Sequence, residues 1–246
     1  MNASPLESKR FGFNIYRGNA DVLDTAALRC WLLQNKVDIA ILRLPCTQNH
    51  TLHQLETLAF PYIVADTLVY YSVDLDKCIF NNYKNTDITF VRANETHRAA
   101  MTDLVNTIFV NYTTHYASNP YFKEDLIRAG YTEWLLNYLS GDGKLVWLVE
   151  QAGAYIGFAS CSFDSNTKVC EIILNGVLPT HAGKGIYTDI VRHTKQHFKA
   201  EGYKTLLIST QIQNYAVQKV WGREGLSIKN AYTTLHINAM LSANNR

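Results

Sequence analysis

Two closely spaced glycines have the pattern of a phosphate-binding loop. Gly183 and Gly185 flank Lys184 within residues 177–187, where an apolar, strand-like run changes into an amphipathic, helix-like run. The backbone N–H groups of such a loop and the positive end of the helix dipole favour a phosphate group, and Lys184 adds positive charge. Short glycine motifs also occur in strand-to-helix turns that bind nothing, so a plain turn is the alternative.

Several other catalytic signatures are absent from the sequence. No G-x-x-x-x-G-K-[ST] P-loop and no G-x-S-x-G elbow occurs, and the glycines come too late, after three predicted strands, for a Rossmann fingerprint. His193 and His197 have the i, i+4 spacing of metal ligands, but no zincin motif surrounds them and they border an apolar helical stripe. We therefore predict no metal site.

An aromatic segment covers residues 112–122. We interpret Tyr116, Asn119 and Tyr121 as candidates to line an acceptor pocket that stacks a base or a sugar. The alternative is an ordinary loop packed on the core, but loops of this composition often carry function.

The elements that must position these residues follow from hydrophobic periodicity and glycine or proline breaks. In the first part, strands are predicted at 13–17, 37–42 and 62–73 and helices at 24–36 and 52–58. A polar stretch without periodicity, residues 81–86, indicates a boundary, with an N-terminal α/β domain at 1–85 and a second domain at 86–246. From residue 86 the predicted order is βααβββαβαβ, with the first helix capped by Asn94.

Composition limits the function classes. The chain has 246 residues, 47% hydrophobic and 18% charged, with 23 basic against 21 acidic residues, so it can bury a core and lacks the basic excess of a nucleic-acid binder. No apolar run approaches about 18 residues and no secretory leader is evident, so neither membrane insertion nor export is expected. Five scattered cysteines favour reduced thiols and a cytoplasmic location.

The element order, the Val-x-Pro strand end, the Gly-x-Gly loop and Asn214 before a short helix together resemble the GNAT superfamily of acetyl-CoA-dependent N-acyltransferases. The resemblance covers residues 86–246 and implies a mixed α/β sheet and acetyl-CoA as co-substrate. It implies that Val177 and Leu178 present backbone amides to the thioester and pantetheine, and that Asn214 contacts the coenzyme arm. The residues implied to surround the pyrophosphate are Ala182, Gly183, Lys184, Gly185, Ile186 and Tyr187.

Three positions depart from the family pattern. Ala182 stands where Arg or Gln is usual, and Tyr187 where Gly or Ala is usual. Trp221 occupies the place where many members carry a Tyr that protonates the departing thiolate. Because an indole N–H cannot act as an acid near neutral pH, we assign no general acid.

A narrower resemblance concerns the acceptor. Residues 8–15, the small domain before the core, residues 115–120 and residues 183–187 are similar to bacterial TDP-amino-sugar acetyltransferases of the TDP-fucosamine type. This resemblance implies a nucleotide-linked 3- or 4-amino-dideoxyhexose as acceptor, a place in O-antigen biosynthesis and a homodimer. The N-terminal domain is then expected to frame the acceptor cleft or a dimer contact. Other amines (a protein N-terminus, polyamine or antibiotic) and a catalytically silent acyl-CoA binding module remain alternatives.

Acetyl transfer requires that an ammonium lose its proton before the amine attacks. The candidates to accept or direct that proton are His115, Glu171, Asn175 and His236. Glu171 and Asn175 are expected on the same face of one strand as Val177. The alternatives are a solvated strand position for Glu171, a satisfied core histidine for His236, and proton loss through water.

Overall fold

The computed structural model describes residues 1–240, and the chain forms two compact units. Within the described residues, unit 1 comprises Met1–Val69, Thr113–Gly130 and residues 230–240, whereas unit 2 comprises Tyr70–Tyr112 and Tyr131–Lys229. These units do not divide at residue 85, where the polar stretch led us to expect a boundary. Unit 1 also recruits a middle segment and the C-terminal strand, because strand pairing joins residues far apart in sequence.

Unit 1 is an α/β layer built on three neighbouring strands and the C-terminal one. Its elements are β1 (Asn2–Ala3), α1 (Pro5–Phe11), β2 (Ile15–Asn19), α2 (Thr25–Gln34), β3 (Ile39–Pro45), a 3₁₀ helix (Cys46–Leu58), the start of β4 (Tyr62–Asp74) and most of β10 (Ser227–Asn238). Strand β2 is antiparallel to β1 and parallel to β3, and β3 is antiparallel to β10 through seven residue pairs from Tyr232 to Asn238.

Strand β3 is buried on both faces. Ala40, Leu42 and Leu44 join one apolar cluster, while Ile39 and Ile41 join another, as alternation in a strand requires. This explains why its sequence reads as a continuous apolar run.

Unit 2 contains the remaining elements. They are β5 (Ile88–Arg92), α3 (Arg98–Ile108), part of α4 (Glu124–Leu136), β6 (Lys144–Gln151), β7 (Ala154–Asp164), β8 (Val169–Val177), α5 (Ile186–Ala200), β9 (Thr205–Gln211) and α6 (Tyr215–Arg223). Its sheet has the order β9-β8-β7-β6-β5, in which only the β8–β9 pair is parallel. The predicted order βααβββαβαβ from residue 86 to β10 and the mixed α/β class are confirmed.

Some local predictions were wrong. The helix predicted at 52–58 is the end of the 3₁₀ helix Cys46–Leu58, and helix α1 was missed. Its signals were present, since Pro5 opens it and Gly12 ends it in the left-handed conformation. Asn94 does cap a helix, but the first turn, Glu95–His97, is 3₁₀.

Among residues 1–240, no helix combines the length and apolar character that crossing a membrane requires.

Candidate functional site

Two parallel strands of unit 2 separate at their carboxyl ends. Strand β8 pairs with β9 only from Val169 to Ile172, although β8 continues to Val177 and β9 to Gln211. On its other side β8 stays paired with β7 as far as Val177. The β9-facing backbone groups of residues 173–177 therefore line a gap, with no ladder partner across it.

The backbone amides at the end of β8 differ in availability. The N–H of Leu178 donates to the carbonyl of Ile156 at 2.8 Å, so it is committed to β7. Because successive N–H groups alternate in direction along a strand, the N–H of Val177 faces the gap. Of the two predicted amides, Val177 supplies the one open to a ligand.

The glycine loop has a backbone that only glycine adopts at low cost. Gly183 has φ +76° and Gly185 has φ +88°, both left-handed. Gly185 is the N-cap of α5 and provides no side-chain cap, so the first-turn N–H groups of a 15-residue helix stay available to an anion. No atom lies within 4 Å of the Cβ position at Gly183, and Lys184 is exposed beside it. These residues fit the pyrophosphate of a coenzyme.

A set of hydrogen bonds that we did not predict from the sequence holds the glycine loop in place. Asp189, buried in the first turns of α5, accepts hydrogen bonds from the backbone N–H groups of Lys84 and Asn85 at 2.7 and 2.9 Å. The Asn85 side chain donates to the same carboxylate and to the Lys184 carbonyl. The polar stretch at which we expected a domain boundary is thus anchored on the helix that follows the loop.

Helix α6 follows strand β9, which forms the other side of the gap. Asn214 is its N-cap residue and donates from Nδ2 to Thr210 Oγ1 at 3.1 Å. Trp221 is 1% exposed and donates from Nε1 to the Tyr187 hydroxyl at 3.0 Å. Burial raises the pKa of Tyr187, so its phenol stays protonated near neutral pH.

The polar pair on β8 is half-buried. Glu171, Asn175 and Val177 alternate with buried neighbours along the strand. Burial and then the nearby Glu171 charge raise the pKa of Tyr138. Within the described part of the chain the side-chain amide of Asn175 forms no hydrogen bond, which leaves it available to a ligand.

The two candidate histidines meet in unit 1. His115 Nδ1 and His236 Nε2 lie 2.8 Å apart, although the residues are separated by 121 positions. Burial, with the Arg17 charge second, lowers the pKa of His236 to about 3. Burial, followed by His236, Arg17 and Arg43, lowers the pKa of His115 well below its ordinary value. Both imidazoles are therefore neutral at pH 7, and His236 is a weak proton acceptor there.

The residues predicted to bind the acceptor also lie in unit 1 and make structural contacts. The Tyr116 hydroxyl contacts Glu7 and lies 3.0 Å from Arg17 Nη1. Asn119 donates to Asn238 at 2.9 Å and accepts from the Tyr121 backbone N–H. Tyr121 packs edge-on against Phe13.

The helical histidines of unit 2 are part of its packing. His193 stacks on Phe90 at 3.9 Å between ring centroids, and its Nδ1 lies 3.0 Å from the Tyr83 hydroxyl. Burial, with His197 second, lowers the pKa of His193 to about 4. No group of three or more His, Cys, Asp or Glu side chains within residues 1–240 is placed to hold a metal ion.

Known proteins are similar to this chain in sequence or in fold. Residues 106–226 match the family model described as acetyltransferase (GNAT) family. A relative, the spore coat polysaccharide biosynthesis protein SpsD of Bacillus subtilis (strain 168), is 23% identical over 124 residues. That match covers 50% of this chain and 42% of the relative, so the chain spans less than half of that protein's length.

Two solved structures have a similar fold. The GCN5-related N-acetyltransferase from Kribbella flavida has a TM-score of 0.62 and 14% identity, covering 93% of this chain and 83% of that one. The GCN5-related N-acetyltransferase from Sphaerobacter thermophilus has a TM-score of 0.60 and 15% identity, covering 87% and 69%. The matched residues 106–226 contain the separating strands, the glycine loop and α6, and the GNAT family match together with the similar folds supports an acyltransferase.

Proposed function

We propose that this protein is an acetyl-CoA-dependent N-acetyltransferase whose acceptor is a nucleotide-linked, TDP-type 3- or 4-amino-dideoxyhexose. The observation that carries the acetyl transfer is the gap between β8 and β9 beside an uncapped helix N-terminus. Such a gap admits an extended thioester arm, and the loop at Gly183 and Gly185 receives its pyrophosphate.

The chemistry needs positioning and charge stabilisation. The neutral amine attacks the thioester carbonyl, whose oxygen becomes negative; the thiolate then leaves and the nitrogen loses its proton. The N–H of Val177 faces the gap and can donate to that oxygen, a preorganised contact that stabilises the transition state. A thiol pKa near 8.5 makes the thiolate a tolerable leaving group without a dedicated acid.

In this proposal the amine loses its proton to water rather than to His236. An imidazole with a pKa of about 3 has little driving force to accept a proton at pH 7. Asn175, half-buried on β8 with its amide uncommitted, is proposed to hold the amine in register. Glu171, on the same strand face, is the remaining carboxylate candidate for proton removal.

Two observations support the sugar acceptor. The relative SpsD is named for polysaccharide biosynthesis, and the sequence resembles TDP-amino-sugar acetyltransferases at residues 8–15 and 183–187. A cytoplasmic homodimer is part of the same proposal, and light scattering at several concentrations tests the dimer.

The test is a thiol-release assay with acetyl-CoA against TDP-linked 3-amino and 4-amino dideoxyhexoses, a polyamine, an aminoglycoside and a peptide N-terminus. Turnover confined to one TDP-sugar is the expected result. If only another amine is acetylated, the proposed sugar acceptor is wrong and the proposed acetyl transfer is correct. Acetyl-CoA binding without turnover on any amine identifies a silent binding module, and failure to bind acetyl-CoA refutes the proposal.

A further inference from the structure

Unit 1 contains a small polar pocket that the acetyl-transfer proposal does not use. The pocket has a volume of about 220 Å³ and opens at the carboxyl ends of the parallel strands β2 and β3. Its lining residues are Asn2, Ala3, Ser4, Arg17, Gly18, Asn19, Ile41 and Arg43. Ligand pockets for drug-sized molecules hold roughly 300–1,000 Å³, so this one suits a single small group.

Both charged residues of the lining are arginines, and they differ in their partners. Arg17 donates to Glu7 at 2.8 Å and lies 3.0 Å from the Tyr116 hydroxyl, so its charge is balanced and its position is fixed. Arg43 is half-buried, and within residues 1–240 its side chain has neither a hydrogen bond nor an ion pair. Taken together, Glu7, Arg17 and Arg43 leave one excess positive charge at the pocket.

The buried, unpartnered donor of Arg43 points to a ligand that accepts hydrogen bonds. Its Nε is fully buried without an acceptor, and an unmatched buried donor on a charged group costs free energy. Thr234, directly opposite Arg43 in the β3–β10 pairing, is fully buried, and its Oγ1 also lacks a partner. Residues directly opposite in an antiparallel pair lie on the same face of the sheet, so two side chains with unmatched polar atoms share one face here.

We propose that this pocket binds a phosphate group, either inorganic phosphate or a phosphate monoester, through the Arg43 guanidinium. The planar guanidinium presents paired N–H donors that match phosphate oxygens, and the excess positive charge favours an anion. Asn2 and Asn19 at the rim add amide donors. The inference is independent of acetyl transfer, because every residue it uses lies in unit 1.

Calorimetric titration at constant ionic strength, with coenzyme A present, tests the proposal. Coenzyme A serves to occupy the glycine loop of unit 2, which also favours phosphate. The probes are inorganic phosphate, glucose 1-phosphate and acetate. The variants are Arg43→Met and Arg43→Lys, with Arg128→Met as the matched loss of an arginine charge elsewhere in unit 1.

The expected result is saturable binding of phosphate or glucose 1-phosphate, and which of the two binds more tightly identifies the source of the group. Arg43→Met weakens that binding at least about tenfold, Arg43→Lys weakens it less, and Arg128→Met leaves it within about twofold of the parent. Without ligand, Arg43→Met melts at the parent temperature or above it, because an unmatched charge is removed.

Four results would overturn the proposal. They are no binding below about 10 mM, acetate binding as tightly as phosphate, Arg43→Met binding like the parent, and a lower melting temperature of Arg43→Met that indicates a packing role. Since Arg43→Lys retains the charge and most of the side-chain length, it still reports on binding if Arg43→Met fails to fold.

Discussion

At the scale of single residues, burial decides which titratable groups can do chemistry. His115 and His236 donate and accept within one neutral pair, and the pKa of His236 falls to about 3 because burial penalises its charged form. The indole N–H of Trp221 donates to the Tyr187 hydroxyl, and burial raises the pKa of Tyr187. Neither side chain therefore releases a proton readily near neutral pH. Asn175 of the candidate site has a side-chain amide that forms no hydrogen bond within residues 1–240.

Acid should destabilise the protein through the histidine pair. In the unfolded chain both residues titrate near pH 6.5, whereas the pKa values in the folded state are lowered, so below that pH the unfolded chain binds more protons. The free energy of unfolding should therefore fall from about pH 6.5 towards pH 3, by up to about 1.4 kcal/mol per pH unit for each histidine. Urea unfolding between about pH 7.5 and pH 4.5 measures the slope.

The variant His236→Gln should make the free energy of unfolding less dependent on pH. It removes one of the two titrating groups, so unfolding takes up about one proton fewer. His193 and His197 also have lowered pKa values, so the difference between variant and parent is the informative quantity. An unchanged slope would contradict the assignment of the pH dependence to this pair, and exposed His53, changed to Gln, is the control.

Replacing Asn175 should affect acetyl transfer more than stability. Asn175→Ala removes an amide that makes no hydrogen bond within residues 1–240, so the free energy of unfolding should change by less than about 0.5 kcal/mol. Loss of one hydrogen bond to the acceptor should lower kcat/KM about tenfold. Steady-state kinetics with denaturant unfolding on the same samples separates these effects, and a stability loss without a kinetic one would assign Asn175 to packing.

At the scale of elements, the candidate coenzyme site depends on where two strands stop pairing and where one helix starts. The β8–β9 ladder ends at Ile172 and Ile208, and α5 begins at Ile186 after two left-handed glycines. The β7–β8 register shifts between Ser160 and Cys161, which leaves Ile173 as an extra residue just where the gap opens. These element ends provide the unpaired amides.

The loop glycines should be sensitive to a single methyl group. Gly183→Ala and Gly185→Ala each force a left-handed backbone on an L-residue, at about 1–2 kcal/mol. At Gly185 the new Cβ would also lie 2.9 Å from Lys84 Cδ, so Gly185→Ala should weaken acetyl-CoA binding more than Gly183→Ala does. Gly202→Ala, with φ +79° and open space beyond α5, should cost similar stability and leave binding unchanged. Thermal unfolding and calorimetry check this, and weakened binding in Gly202→Ala would contradict it.

Helix α6 should tolerate, and gain from, an alanine at Gly222. This glycine is inside the helix, its φ is not left-handed, and no atom lies within 4 Å of its Cβ position. Gly222→Ala should therefore stabilise the fold by about 0.5–1 kcal/mol, because it restricts the unfolded chain. Gly225→Ala, at φ +85°, should destabilise it, and denaturant unfolding of the pair gives the comparison.

At the scale of the whole molecule, the two units are interleaved in sequence. Unit 1 takes three separate stretches and unit 2 takes two, so neither corresponds to a continuous segment. Strand β10 at the end of the chain supplies Leu235 and Ile237 to the same apolar cluster as Leu42 and Leu44 of β3. The molecule therefore cannot be divided by one cut without exposing apolar surface.

Fragments cut at residue 85 should not fold alone. A chain of residues 86–246 lacks β3, which pairs with β10 through seven residues, and so exposes buried apolar side chains. We expect aggregation or a loss of cooperative unfolding for each fragment, and recovery when both fragments are co-expressed. Circular dichroism and the dispersion of amide NMR signals measure the folding of each fragment, and a cooperatively folded 86–246 fragment would contradict this expectation and support a domain boundary at residue 85.

The order of elements from residue 86 and the position of the glycine loop could be predicted from the amino-acid sequence alone. These features are local: apolar periodicity reports which face of a helix or strand is buried, and a left-handed backbone at 183 and 185 requires glycine. The resemblance to the acetyltransferase family depended on the same local features.

Which distant residues come into contact could not be predicted from the sequence and became visible in the folded chain. The tertiary structure placed His115 beside His236, Asp189 under the backbone of Lys84 and Asn85, and Arg43 opposite Thr234. It also decided that β8 and β9 separate and that unit 1 is built from three stretches. Strand register and the closure of long loops depend on packing summed over the whole chain, so no short window of sequence contains them.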